Sequence, residues 1–211
     1  TPQASLWSDV DVTETVRLID ALKKRREFDG LRISPILILA RAVCLAMGRS
    51  PEVNGSIDVD AGVIVVPEDV NLGIAAATAR GLVVPNIKAA NRLSLVALAT
   101  ALNGLVDAAR GGRITPSDCR GGTFTITNVG VFGIEGGTPI LVPGESAVLC
   151  LGAINKRPCV VPGPSGDEIE IRSMATLTLT IDHRVLDGEA GARFLNDVAT
   201  VLREPGLSLL F

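Results

Sequence analysis

The one histidine of this 211-residue sequence, His183, is followed four positions later by the carboxylate of Asp187. An imidazole titrates near neutrality, so it can take a proton from a thiol or hydroxyl and return it within a single cycle. Any imidazole chemistry must therefore happen in the stretch Asp182-His183-Arg184-Val185-Leu186-Asp187-Gly188. The structural alternative is a histidine bonded into the fold, with Asp187 capping the helix that follows.

The elements on either side position this pair. Upstream, Ala175-Thr176-Leu177-Thr178-Leu179-Thr180-Ile181 alternates apolar and hydroxylic residues at the period of a half-buried strand. Downstream, Phe194, Leu195, Val198, Val201 and Leu202 recur at helical spacing. His183 thus falls in a strand-to-helix connection, where rigid elements aim a side chain into a cleft.

Earlier in the chain, Asp11-Val12-Thr13-Glu14 reads as a capping box opening a first helix with Lys23, Lys24, Arg25 and Arg26 near its end. Ser34-Pro35 opens a second, apolar nearly all round, that ends at Gly48 and should be central. Ser94 caps a third, closed by Gly111-Gly112. Between residues 62 and 85, Val63-Ile64-Val65-Val66, Leu72-Gly73-Ile74-Ala75 and Leu82-Val83-Val84 read as three strands of one sheet. Residues 122–128 are strand-like, 129–137 form a glycine-rich loop, and 147–154 form a strand. The turn Gly163-Pro164-Ser165-Gly166-Asp167 pairs that last region with a long strand over residues 168–181. This order predicts one α/β (α+β) domain over residues 1–211, a mixed sheet packed with helices.

Composition narrows the classes. With 47% hydrophobic residues the chain can bury a full core, and a net charge of −3 with scattered basic residues gives no footprint for nucleic acid. The longest apolar run carries Arg41 and is too short to span a bilayer, so no membrane role is expected. Cys44, Cys119, Cys150 and Cys159 form no Cys-x-x-Cys pair, and one histidine makes a metal site improbable. Three of the thiols look like apolar fillers. The glycines of residues 130–137 lack the dinucleotide spacing, and Gly144-Glu145-Ser146 lacks the second glycine of a nucleophile elbow.

Two motifs in order, Gly121-Gly122-Thr123-Phe124-Thr125-Ile126-Thr127-Asn128-Val129-Gly130 and the His183 stretch, resemble those of a known family. It is the catalytic, inner-core domain of the dihydrolipoamide acyltransferases (E2) of 2-oxoacid dehydrogenase complexes. Val84-Pro85-Asn86-Ile87-Lys88 and Ala99-Thr100-Ala101-Leu102-Asn103 look nearer the branched-chain type.

The resemblance implies a trimeric chloramphenicol-acetyltransferase-like fold with active sites between subunits. The activity it implies is transfer of an acyl group between dihydrolipoamide and coenzyme A. His183 would then be the general base, Thr127 the hydroxyl that stabilises the oxyanion, and Asp187 either catalytic or structural. The family usually carries serine where Thr127 stands, so the donor gains a methyl group and a restricted rotamer. Lys88 and Arg80 are candidates for the coenzyme A phosphates.

The lipoyl group belongs to a domain expected upstream of Thr1, as does the region that binds the dehydrogenase (E1) and dihydrolipoamide dehydrogenase (E3) components. Trimers would join into a cubic or dodecahedral core, in the cytoplasm of a bacterium or the mitochondrial matrix of a eukaryote. An acetyl-specific enzyme and a non-catalytic core subunit are the alternatives.

Overall fold

The computed structural model describes residues 2–78 and 81–211, so Arg80 lies outside the described residues. The chain runs through β1 (Gln3–Asp11), α1 (Thr13–Leu22), α2 (Pro35–Met47), β2 (Ser56–Asp58) and β3 (Val63–Val65). β4 (Leu72–Ile74), β5 (Ala76–Thr78), β6 (Gly81–Val83), β7 (Asn86–Ile87) and α3 (Leu95–Arg110) follow. The last third holds β8 (Phe124–Asn128), β9 (Ala147–Leu151), β10 (Asn155–Gly163), β11 (Gly166–Asp182) and α4 (Gly188–Arg203).

The main sheet has the order β1-β11-β9-β8-β4-β7, with β10 pairing the first half of β11. β8 runs parallel to both of its neighbours, while the other pairings are antiparallel. The sheet is therefore mixed, as expected.

Side-chain parity assigns its two faces. Leu177, Leu179 and Ile181 on β11, Leu149 and Leu151 on β9, and Phe124 and Ile126 on β8 are all buried in one cluster with the helices. α4 packs on β1 and β11, α2 lies against α4, and the Phe124 and Phe194 rings meet edge to face at 5.6 Å. Each such side chain gains about 1.5–3 kcal/mol from leaving water, which is what holds the register.

The alternate residues make the opposite face. Thr178, Cys150 and Thr127 form one row across three strands, and Thr180, Val148 and Thr125 the next. Ser5 on β1 and Asp9 continue it, their side chains hydrogen-bonded to Thr180 and Thr176. The loop of residues 129–146 covers this face, tied back by the Ala153 amide donating to the Ile134 carbonyl.

Several expectations need correction. The three runs of residues 62–85 belong to three different sheets: β3 pairs β2, β6 pairs β5, and only β4 enters the main sheet. Each is three residues long, so local pattern carries no information about the partner. β1 was not foreseen, because its alternation leaves Trp7 73% exposed and carries polar residues on one side.

The β10–β11 hairpin uses a strand over residues 155–163, while residues 147–151 pair the second half of β11. At the start of α1, Asp11 accepts from the Thr13 amide but Glu14 pairs Arg17, so no reciprocal box forms, and α1 ends before Lys23. The apolar chain end turns through a 3₁₀ stretch, Pro205–Leu210. Phe211 folds back beneath the Arg49 guanidinium, 3.9 Å from the ring centre, whereas Leu209 and Leu210 remain 91% and 69% exposed.

Candidate active site

β11 ends at Asp182, whose buried carboxylate receives the Arg184 amide at 3.1 Å and its guanidinium at 3.0 and 2.7 Å. The Arg184 hydrogen bonds hold the Asp182 carboxyl below the usual carboxylate range. This pair forces the chain to turn at once, and it was not singled out from the sequence although both residues lie in the quoted motif. His183 sits at the bend with its side chain exposed, its backbone amide donating to the Pro2 carbonyl at 2.9 Å.

Asp187 is the N-cap of α4, its Oδ1 accepting from the Ala190 amide at 2.8 Å. The carboxylate thereby satisfies one of the free donors at the helix start and complements its dipole. Both residues stand where expected, and the hydrogen bond given to Asp187 is the structural one.

Thr127 lies half-buried on the threonine-rich face, in a cavity of about 320 Å³. Ala75, Leu82, Val84, Val129, Ile140 and Val148 contribute most of its apolar wall, and Thr125 and Cys150 its floor. No charged side chain lines it among the described residues. Burial pushes the Cys150 thiol upward, and that of Cys44 to about 12, so both behave as apolar fillers.

The structure does not bring His183 and Thr127 together within one chain. Thr127 is in register with Cys150, and Cys150 with Thr178. His183 stands five residues past Thr178. At about 3.3 Å per residue and about 4.8 Å per strand spacing, the two Cα atoms are about 19 Å apart. Side chains reaching about 7 Å between them leave a gap of more than about 10 Å, beyond what one thiol and one carbonyl can bridge.

Lys88 is further removed, exposed beyond β7 with its ammonium donating to the Arg120 carbonyl. Sequence reading also missed Glu145, a carboxyl buried beside the start of β8. It follows Gly144 at what reads as a turn, so no periodicity marks it.

A two-faced mixed sheet with a histidine turn at the end of its long strand defines the class. Chloramphenicol acetyltransferase shares the fold, at a TM-score of 0.60 and 16% identity over 96% of this chain and 89% of that one. The chain belongs to the family described as 2-oxoacid dehydrogenases acyltransferase (catalytic domain), whose profile matches residues 1–210.

It is 38% identical over 209 residues to the acetyltransferase component of the pyruvate dehydrogenase complex of Acholeplasma laidlawii. It is 35% identical over 211 residues to the succinyltransferase component of the 2-oxoglutarate dehydrogenase complex of Haemophilus influenzae. The matches cover 99% and 100% of this chain but only 38% and 50% of those relatives.

Two solved structures each share a TM-score of 0.91 and 27% identity over 99% of this chain and 84% of theirs. One is the cubic core of a pyruvate dehydrogenase multienzyme complex. The other is the Azotobacter vinelandii dihydrolipoamide acetyltransferase, studied for the catalytic roles of a serine, a histidine and an asparagine, the last two four positions apart.

Proposed function

We propose that this chain is the acyl-transferring domain of a dihydrolipoamide acyltransferase and that its active site is completed between two copies. The carrying observation is the separation of about 19 Å between His183 and Thr127 set by the strand register. Both residue types fit the chemistry, and the histidine-to-Asp187 spacing equals the histidine-to-asparagine spacing of the Azotobacter enzyme. A neighbouring copy that lays its histidine turn over the Thr127 cavity closes the gap.

In that arrangement His183 takes the proton of the coenzyme A thiol, and the sulfur attacks the carbonyl carbon of the acylated dihydrolipoamide. The carbonyl π pair moves to oxygen, where the Thr127 hydroxyl meets the developing charge. The intermediate collapses by expelling the dihydrolipoamide sulfur, which takes back the proton from His183. Asp187 holds the start of α4 and so the turn that aims the imidazole. Lys88, exposed beyond β7, stays a candidate for the coenzyme A phosphates by its charge, and Arg80 by residue type alone.

Among the described residues the cavity beside Thr127 presents no cation to a succinyl carboxylate, which supports a neutral acyl group. The likeness of residues 84–88 is the ground for a branched acyl group, set against relatives that are acetyltransferase and succinyltransferase components. Higher kcat/KM with isobutyryl- or isovaleryl-CoA than with acetyl-CoA is the expected result, and equal or better use of acetyl-CoA overturns it. The gain should be about 1–3 kcal/mol, the range for added methylenes in an apolar pocket.

The shared site is tested by mixing. His183→Ala and Thr127→Ala chains should each lose about 10²-fold alone, but co-assembled at equal amounts they should recover about a quarter of wild-type turnover, since each site draws the two residues from different copies. Absence of recovery in verified mixed assemblies means that both residues act within one chain, or not at all.

A further inference from the structure

The His183 side chain makes no hydrogen bond among the described residues, so no partner fixes the imidazole directly. Its aim is left to the backbone that carries it. The Asp182 amide donates to the Ser146 carbonyl at 2.8 Å, and the His183 amide to the Pro2 carbonyl at 2.9 Å. The Asp182 carbonyl then accepts from the Val185 and Leu186 amides, both at 3.0 Å.

One further tie is made by side chains. Asp182 Oδ1 accepts from the Arg184 amide at 3.1 Å, which closes a turn with His183 as its middle residue. The same carboxylate receives the Arg184 guanidinium as a fork, Nε donating to Oδ1 at 3.0 Å and Nη2 to Oδ2 at 2.7 Å. The two neighbours of His183 therefore grip each other across it. The Asp182 side chain is only 5% exposed, and Arg184 is the cation that pairs with it. Opening the clasp would leave a buried carboxylate uncompensated.

We propose that Arg184 is a positioning residue, whose clasp on Asp182 holds the His183 imidazole in line with the Thr127 cavity of the neighbouring copy. The role rests on the reading of His183 as the general base. The guanidinium is committed to Asp182 and takes no part in the chemistry itself. Lysine at position 184 would keep the charge but offer a single ammonium in place of the fork, so the turn would stay paired but looser. A misplacement of about 1 Å at a reacting group can cost about 10²-fold in rate. The loss should fall on kcat, since the clasp acts on the base and not on substrate binding.

The test measures Arg184→Lys and Arg184→Gln in the assembled protein, each alone and each combined with His183→Ala. Arg184→Lys should lose about tenfold in kcat with KM for both substrates unchanged, in an assembly whose melting curve shows it folded. Arg184→Gln, which leaves Asp182 without a cation, should lose about 10²-fold. With His183→Ala already in place, Arg184→Lys should change the residual rate by less than about twofold, because no imidazole remains to be aimed. An equal loss in both backgrounds would overturn the positioning role, as would a wild-type kcat in Arg184→Lys. A rise in the KM for coenzyme A with kcat unchanged would overturn it too, making Arg184 a substrate contact. If Arg184→Gln fails to fold, Arg184→Lys decides, since its charge still pairs Asp182. Wild-type turnover in His183→Ala alone would instead remove the base itself, and with it any need to aim one.

Discussion

His183 is exposed at a turn fixed by its neighbours, so its side chain contributes little to folding. His183→Ala should lower kcat by at least about 10²-fold with Tm within a degree or two of wild type, and unaltered turnover would exclude it as the base. Thr127→Ala should cost on the order of 10²-fold in kcat with little change in KM, and Thr127→Ser should stay active. A KM effect alone would reassign Thr127 to substrate binding. These two residues stand out as candidates in the sequence because their types and motifs point to that chemistry. Their separation does not, because it depends on which strands pair and in what register, and neither follows from local pattern. Glu145 and the Asp182–Arg184 pair escaped for a related reason, since burial of a single charged residue leaves no periodic trace.

At the scale of elements, the helices and the long strand β11 were readable, whereas β1, β10 and the three-residue strands were not. The apolar run of α2, the Ser94 cap of α3 and the Asp187 cap of α4 all stand where expected. The three-residue strands did not reveal their partners. Asp187 offers a separable test, because asparagine caps a helix about as well as aspartate. Asp187→Asn should be neutral in denaturant unfolding and in kcat, whereas Asp187→Ala should cost about 1 kcal/mol. A large kcat loss in Asp187→Asn at unchanged stability would make the negative charge itself functional. The loop over the Thr127 cavity gives a second test. A Cβ at Gly152 would overlap the Glu135 carbonyl oxygen, so Gly152→Ala must displace residues 129–142. It should raise KM more than it lowers kcat, as substrate assays and chemical denaturation together can show.

On the scale of the molecule, no helix among the described residues is long and apolar enough to cross a membrane. The apolar chain end is divided, with Phe211 folded under Arg49 and Leu209 and Leu210 left to water. Such exposed leucines gain about 1.5–3 kcal/mol each on burial, repeated at every copy of a contact. Deleting residues 207–211 should leave a folded, smaller oligomer that no longer forms a large particle, and an unchanged mass in light scattering would show that this end joins nothing. The central sheet carries a further lesson in its alternation of leucine and threonine. Under the proposed reading, each strand carries scaffold residues and cavity residues at alternate positions, so one set can change without the other. A library that varies only Thr125, Val148 and Cys150 should shift acyl preference in substrate assays, while Ile126, Leu149 and Leu177 keep the core.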